Sequence, residues 1–202
     1  MAYEPALHAR TRDPRMVLNL PTLLTWTRVL AIPLLVAAFY LPVSVHAQNV
    51  IATVLFVAAA ITDWLDGWLA RRWGQTSAFG AFLDPVADKL IVCVALVMLV
   101  ALGRVDAIVA AIIVGRELTI SALREWMAQI GARTSVAVHS IGKFKTIAQL
   151  VAIPMLLYAR PLFGVLDTHA VGTWLIYAAA ILTVWSMTYY LRRAWPYLRD
   201  SG

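Results

Sequence analysis

Apolar residues dominate six long stretches of the chain, separated by short polar or basic intervals, and most of these stretches show no polar face at a helical period. A helix that is apolar all round belongs in lipid or deep inside a large core. Stretches of about twenty residues match the hydrocarbon thickness of a bilayer. The pattern predicts membrane-spanning helices over residues 19–40, 50–71, 80–102, 105–128, 141–158 and 171–191. Asn19-Leu20-Pro21-Thr22 opens the first, with Pro21 in the first turn, where its missing N–H is tolerated. Pro85 is expected near the start of the third, where the lost hydrogen bond is cheap. Residues 41–49 and 160–169 read as loops on one side, and 72–77 and 129–140 as loops on the other.

Charge orients this arrangement. Arg10, Arg12, Arg15, Arg71, Arg72, Arg133, Lys143, Lys145, Arg192, Arg193 and Arg199 fall at ends assigned to one side, whereas only Arg104 and Arg160 fall on the other. By the positive-inside bias the first side is cytosolic, and both termini with it. The expected architecture is an all-α, polytopic membrane protein of six transmembrane helices. A basic juxtamembrane segment over 1–18 precedes a transmembrane domain over 19–202 with a short C-terminal tail. No separate short apolar core with a small-residue cleavage site precedes the first span, which is expected to direct insertion itself. Composition agrees: of 202 residues 61% are hydrophobic, and a mean hydropathy of +0.76 is too high for an ordinary soluble domain. The net charge of +6 belongs to cytosolic loops and anionic lipid rather than to nucleic acid. A single cysteine, Cys93, excludes an intrachain disulfide.

Within this apolar background Asp63, Asp66, Asp84 and Asp88 stand out. Each ionised Asp at the centre of a span costs about 2.5–3.5 kcal/mol on insertion scales, so the four together need compensation on the order of 10 kcal/mol. Asp63 and Asp66 are three apart and Asp84 and Asp88 four apart, so each pair shares a helix face. Antiparallel packing of the two helices would gather all four. Oxygen-only ligation suits hard divalent cations such as Mg²⁺ or Mn²⁺, while the absence of Cys and His from the stretch disfavours zinc. Gly67 and Gly80 leave backbone open to a ligand, and Arg71 and Arg72 are placed to answer a phosphate. Gly67, Ala70 and Gly80 also suit close helix packing. Intramembrane carboxylates equally mark cation or proton paths, so a transporter stands as the rival class. Arg28, a cation inside the first span, is expected to face the bundle interior and a carboxylate or phosphate.

The run Asp63-x2-Asp66-Gly67-x2-Ala70-Arg71-x8-Gly80-x3-Asp84-x3-Asp88 resembles the full signature of the CDP-alcohol phosphotransferase family, at all eight positions. The resemblance implies a six-helix integral membrane enzyme that moves a substituted phosphoryl group from a CDP-linked donor to an alcohol and releases CMP. It implies two divalent ions held by Asp63, Asp66, Asp84 and Asp88, with Asp88 also the general base. Gly67, Ala70, Arg71 and Gly80 would border the donor nucleotide, and Arg28 would touch donor or acceptor. It further suggests a homodimer.

A second cluster lies downstream. Arg116 and Arg124, eight apart, share a helix face, and Lys143 and Lys145 open the next span. They suit the phosphate of an anionic acceptor, and equally lipid head groups reached by snorkelling; Glu117 and Glu125 are candidate partners for them. Together with Asn19-Leu20-Pro21-Thr22, Arg28, the run from Gly115 to Trp126 and the Gly142–Gln149 region, this cluster is similar to the bacterial branch of the family that makes phosphatidylglycerol phosphate. That similarity runs from Asn19 to about Arg193. It implies CDP-diacylglycerol as donor, glycerol 3-phosphate as acceptor, membrane lipids as surroundings, and an active site facing the cytosol from the bacterial inner membrane. Serine, inositol or phosphatidylglycerol as acceptor stays open on the shared signature.

Overall fold

A computed structural model of the chain describes residues 20–73, 78–129 and 140–200. The basic segment 1–18 lies outside the described residues. Six helices carry almost all of it: α1 (Leu20–Ala38), α2 (Val45–Trp73), α3 (Ala78–Ala101), α4 (Ala107–Gln129), α5 (Ser140–Tyr158) and α6 (Thr168–Asp200). Their contacts close a ring in the order α1, α2, α5, α6, α4, α3, with α3 also touching α2 and α5 across the interior. At the centre Leu35, Phe56, Leu96, Leu99, Ile113 and Leu156 are almost wholly buried. The outer faces are apolar too: Leu34, Val54, Val97, Ile147, Ile181 and Trp185 are exposed. Apolar side chains on both faces are the mark of a bundle whose solvent is hydrocarbon.

Among the described residues, Val45–Leu65 and Thr168–Arg192 are each long and apolar enough to cross a membrane, and Trp26–Ala38 and Phe144–Tyr158 are shorter apolar stretches. Helices α3 and α4 are interrupted by Asp84, Asp88 and Lys89, and by Arg116, Glu117, Arg124 and Glu125. Those interruptions are the candidate site.

Several boundaries differ from the sequence expectation. Helix α2 starts at Val45, not near residue 50, because the Ser44 hydroxyl accepts the Ala47 N–H at 3.3 Å and caps it. His46, Gln48 and Asn49 are thus helical rather than loop. Helix α3 starts at Ala78, which puts Pro85 about two turns in rather than at the entrance. The segment expected as a plain loop over 160–169 contains a hairpin, β1 (Pro161–Leu162) antiparallel to β2 (Leu166–Asp167). Phe163 and Gly164, both at positive φ, turn it, and Val165 N–H donates to the Leu162 carbonyl at 3.2 Å. Asp167 then accepts the His169 and Ala170 N–H groups at 3.0 and 3.1 Å and opens α6 three residues early. At its other end α6 runs on to Asp200, past the expected stop at Arg192-Arg193.

The ends away from the acidic motif are fastened by polar bonds. Gly103, at φ 67°, ends α3 with Arg104 N–H donating to the Leu99 carbonyl and Gly103 N–H to the Val100 carbonyl. That turn aims Arg104 at the C-terminus of α5, where it donates to the Leu156 and Leu157 carbonyls at 3.1 and 2.8 Å. Its other amine donates to Asn49 of α2 at 2.9 Å, and Asn49 donates to the Tyr158 carbonyl at 3.4 Å. One cation therefore closes α5 and ties α2 to the α3–α4 turn. On the same face α6 packs tightly on α5. A Cβ built on Gly172 would stand 2.8 Å from Leu156 Cγ and 3.2 Å from the Ala152 carbonyl oxygen.

Candidate active site

The acidic motif straddles α2 and α3, and α1 supplies the group that joins them. Arg28 is 1% exposed. It donates to Asp63 Oδ1 at 2.7 Å and to Asp84 Oδ1 at 3.3 Å, and it bonds Asp88 as well. The three carboxylates are 40–48% exposed, so this centre is open on one side and closed by a cation on the other. The expectation that Arg28 faces carboxylates holds. The expected direct meeting of α2 with α3 takes a different form: α1 packs on both more extensively than they pack on each other, so the acids converge through Arg28. Asp66, Gly67, Ala70, Arg71 and Gly80 lie on the helix backbones of α2 and α3, but their side-chain surroundings fall outside the described residues.

Among the described residues no three acidic, His or Cys side chains stand close enough to share an ion. The donor set is nevertheless right for a hard divalent cation. Three carboxylates drawn from two helices point at one positive charge, with no sulfur or imidazole among them. A cation placed there has only to share, or take over, a role the guanidinium already fills. Between α2 and α5, an apolar cavity of about 240 Å³ is lined by Phe56, Val57, Ala60, Ile61, Trp64 and Leu150. Its walls suit hydrocarbon.

The second cluster forms between α4, α5 and α6. Arg116 is 5% exposed and donates to Glu117 Oε1 at 3.0 Å and to Ser186 Oγ at 3.3 Å. The Lys145 ammonium donates to the same Glu117 oxygen. Arg116 and Arg124 lie 5.9 and 5.5 Å from the centre of the Tyr190 ring, which confirms that they share a face. Two cations on one carboxylate, with a third beside them, leave a surplus of positive charge in a low-dielectric groove, which favours an anion. Lys143 falls outside the described side chains, so only Lys145 of the two lysines can be placed. Helix α3, which carries Asp84 and Asp88, also packs against α4, which carries Arg116 and Glu117.

Sequence reasoning underrated the uncharged polar residues of this groove. Thr183, Ser186 and Tyr190 of α6 are all buried, as is Gln149 of α5, one turn beyond Lys145. The spacing was the available signal, since steps of three and four place Thr183, Ser186 and Tyr190 on one face.

An apolar-faced helical bundle with acids on one pair of helices and basic side chains between three others fits a membrane enzyme that acts on phosphorylated substrates. A family model described as CDP-alcohol phosphatidyltransferase matches residues 18–185. The chain belongs to this family and is an enzyme of the CDP-alcohol phosphotransferase type, a family that uses divalent metal ions. It is 50% identical over 188 residues to proteins from Escherichia coli strain K12, Shigella flexneri serotype 5b and Salmonella choleraesuis. Each is named CDP-diacylglycerol–glycerol-3-phosphate 3-phosphatidyltransferase, and the match covers 92% of this chain and all of each relative.

Proposed function

We propose that the chain transfers the phosphatidyl group of CDP-diacylglycerol to glycerol 3-phosphate, giving phosphatidylglycerol phosphate and CMP. The observation that carries this reading is the pairing of two unlike sites in one bundle: carboxylates on α2 and α3, and a buried basic groove between α4, α5 and α6. Transfer between two anionic substrates needs both. The name shared by the relatives at 50% identity supports this donor and acceptor over serine, inositol or phosphatidylglycerol.

Asp63, Asp66, Asp84 and Asp88 would hold two divalent ions, magnesium or manganese, which supply charge against the donor pyrophosphate and align the attacking and leaving oxygens. Gly67, Ala70, Arg71 and Gly80 border the cytidine diphosphate, while Arg116, Arg124, Lys143 and Lys145 hold the acceptor phosphate. The free primary hydroxyl of the acceptor attacks the phosphorus bearing diacylglycerol. A new P–O bond forms, the bond to CMP breaks, and Asp88 takes the hydroxyl proton. Arg28 holds the acids in register before substrate arrives. The reading places six spans in the bacterial inner membrane with both termini and the active site cytosolic, and two copies acting as a homodimer.

The test is purified protein with labelled CDP-diacylglycerol and a panel of acceptors, with and without chelator. CMP release with glycerol 3-phosphate alone, abolished by chelator and restored by Mg²⁺ or Mn²⁺, is expected. Release driven by serine or inositol, or release that ignores chelator, overturns the reading.

A further inference from the structure

Among the buried side-chain atoms that lack a hydrogen-bond partner within the described residues, four belong to the groove between α4, α5 and α6: Arg116 Nε, Gln149 Nε2, Thr183 Oγ1 and Tyr190 Oη. Their residues are 5%, 5%, 0% and 1% exposed. Buried polar groups are almost always satisfied, and leaving one open costs stability. Four in one groove, contributed by three helices, point to something polar that the groove is built to receive.

The chemistry of the four divides in two. Arg116 is charged and belongs with Lys145 in holding an anion. Gln149, Thr183 and Tyr190 are neutral. They offer an amide N–H donor and two hydroxyls that either donate or accept. Contacts link them to the basic cluster: Ser186, one turn from Thr183, accepts from Arg116, and Arg116 lies over the Tyr190 ring. Gln149 follows Lys145 by one turn of α5. A matching ligand therefore carries an anionic end for the cations and, besides it, an uncharged group that accepts from the amide and donates to a hydroxyl oxygen. An alcohol does this.

We infer that Gln149, Thr183 and Tyr190 form a neutral subsite that recognises the middle hydroxyl of the acceptor, the one that neither attacks nor carries phosphate. This rests on the acceptor reading above and assigns specificity within it. The cations alone would accept any small phosphate monoester, whereas the neutral subsite rejects one lacking that hydroxyl, because its own polar atoms then stay unpaired.

The experiment compares glycerol 3-phosphate with its 2-deoxy analogue, 1,3-propanediol monophosphate, on full-length protein and on Gln149→Leu, Thr183→Val and Tyr190→Phe. Wild type is expected to favour glycerol 3-phosphate by about tenfold in kcat/KM, the worth of one or two hydrogen bonds. Each variant should lower that preference by about three- to tenfold while the KM for donor lipid and the response to metal stay fixed. Thermal stabilisation by each phosphate ester, read without turnover, should show the same loss of preference. Removing an unpaired buried polar atom should leave the ligand-free protein as stable as before or more so. If wild type binds both esters equally, or the variants change stability but not the preference, the subsite serves only the fold and the inference is overturned. If wild type discriminates in binding but releases no CMP with glycerol 3-phosphate, the functional reading fails while the subsite stands.

Discussion

Replacing Arg28 by Met removes the charge that the acids lean on and keeps the bulk of the side chain. Arg28 bonds at least Asp63, Asp84 and Asp88, and is itself 1% exposed. Breaking a fully buried ion pair by removing one partner costs about 3–5 kcal/mol. Here the carboxylates are 40–48% exposed, so water screens what is left unpaired. That reduces the expected loss to about 1–3 kcal/mol. For a chain of this size the loss corresponds to a fall in Tm of about 2–4 °C per kcal/mol. A divalent ion should reverse it, since a ligand at a hundred times its Kd contributes about 2.7 kcal/mol. With no guanidinium competing for the same oxygens, the variant should also bind Mn²⁺ more tightly than wild type does. The assay is thermal unfolding in detergent across a Mn²⁺ titration, with bound Mn²⁺ followed by its electron paramagnetic resonance signal. If the metal-free variant unfolds at the wild-type temperature and binds Mn²⁺ no more tightly, Arg28 is not the counter-charge of these acids and the reasoning fails.

Asp88→Asn should lower CMP release by about 10²–10⁴-fold, the usual worth of a general base, with the Tm little changed; retained turnover would remove Asp88 from that role. Gly172→Leu should force α5 and α6 apart, because even a Cβ would meet Leu156 Cγ at 2.8 Å. A loss of about 1–3 kcal/mol is expected, read from the unfolding midpoint, and an unchanged midpoint would contradict the close approach. Arg104→Met leaves the Leu156 and Leu157 carbonyls without their donor and should cost about 1–3 kcal/mol while CMP release below the unfolding temperature stays at the wild-type rate. A loss of turnover without a loss of stability would refute a purely structural Arg104.

What the sequence revealed and what it hid divide along physical lines. Six apolar stretches and two carboxylate pairs are periodic signals, and periodicity survives in a bare sequence. The shared face of Arg116 and Arg124 belongs to the same kind, and so does the need of Arg28 for an acidic partner. The start of α2 was hidden because Ser44, His46, Gln48 and Asn49 look like a loop by polarity. Asn49 is polar for a tertiary reason, being buried against Arg104 and the Tyr158 carbonyl. The hairpin over 161–167 was hidden because its signal is a single Phe163-Gly164 turn. Arg104 looked like an exception to the charge bias, whereas its partners are carbonyls at the end of α5. Partners set by packing between distant segments leave no local pattern.

The bundle uses similar polar residues at its two ends in opposite ways, and the difference separates scaffold from site. At one end Arg104 and Asn49 spend their donors on carbonyls and on each other, and neither leaves an open buried atom among the described residues. A network satisfied within the fold holds helices together and has nothing left for a ligand. In the groove of α4, α5 and α6, Arg116, Gln149, Thr183 and Tyr190 keep open atoms at a cost of about 1–3 kcal/mol for each neutral group left unpaired. A fold under pressure only to be stable would have replaced Thr183 with Val and Tyr190 with Phe, since the isosteres fit the same space without the penalty. Their presence here, with Arg116 over the Tyr190 ring, follows if the missing bonds are made by a substrate. On that account the end fastened by Arg104 gives the bundle its rigidity, and the open groove is where binding energy is drawn to orient the acceptor toward Asp88.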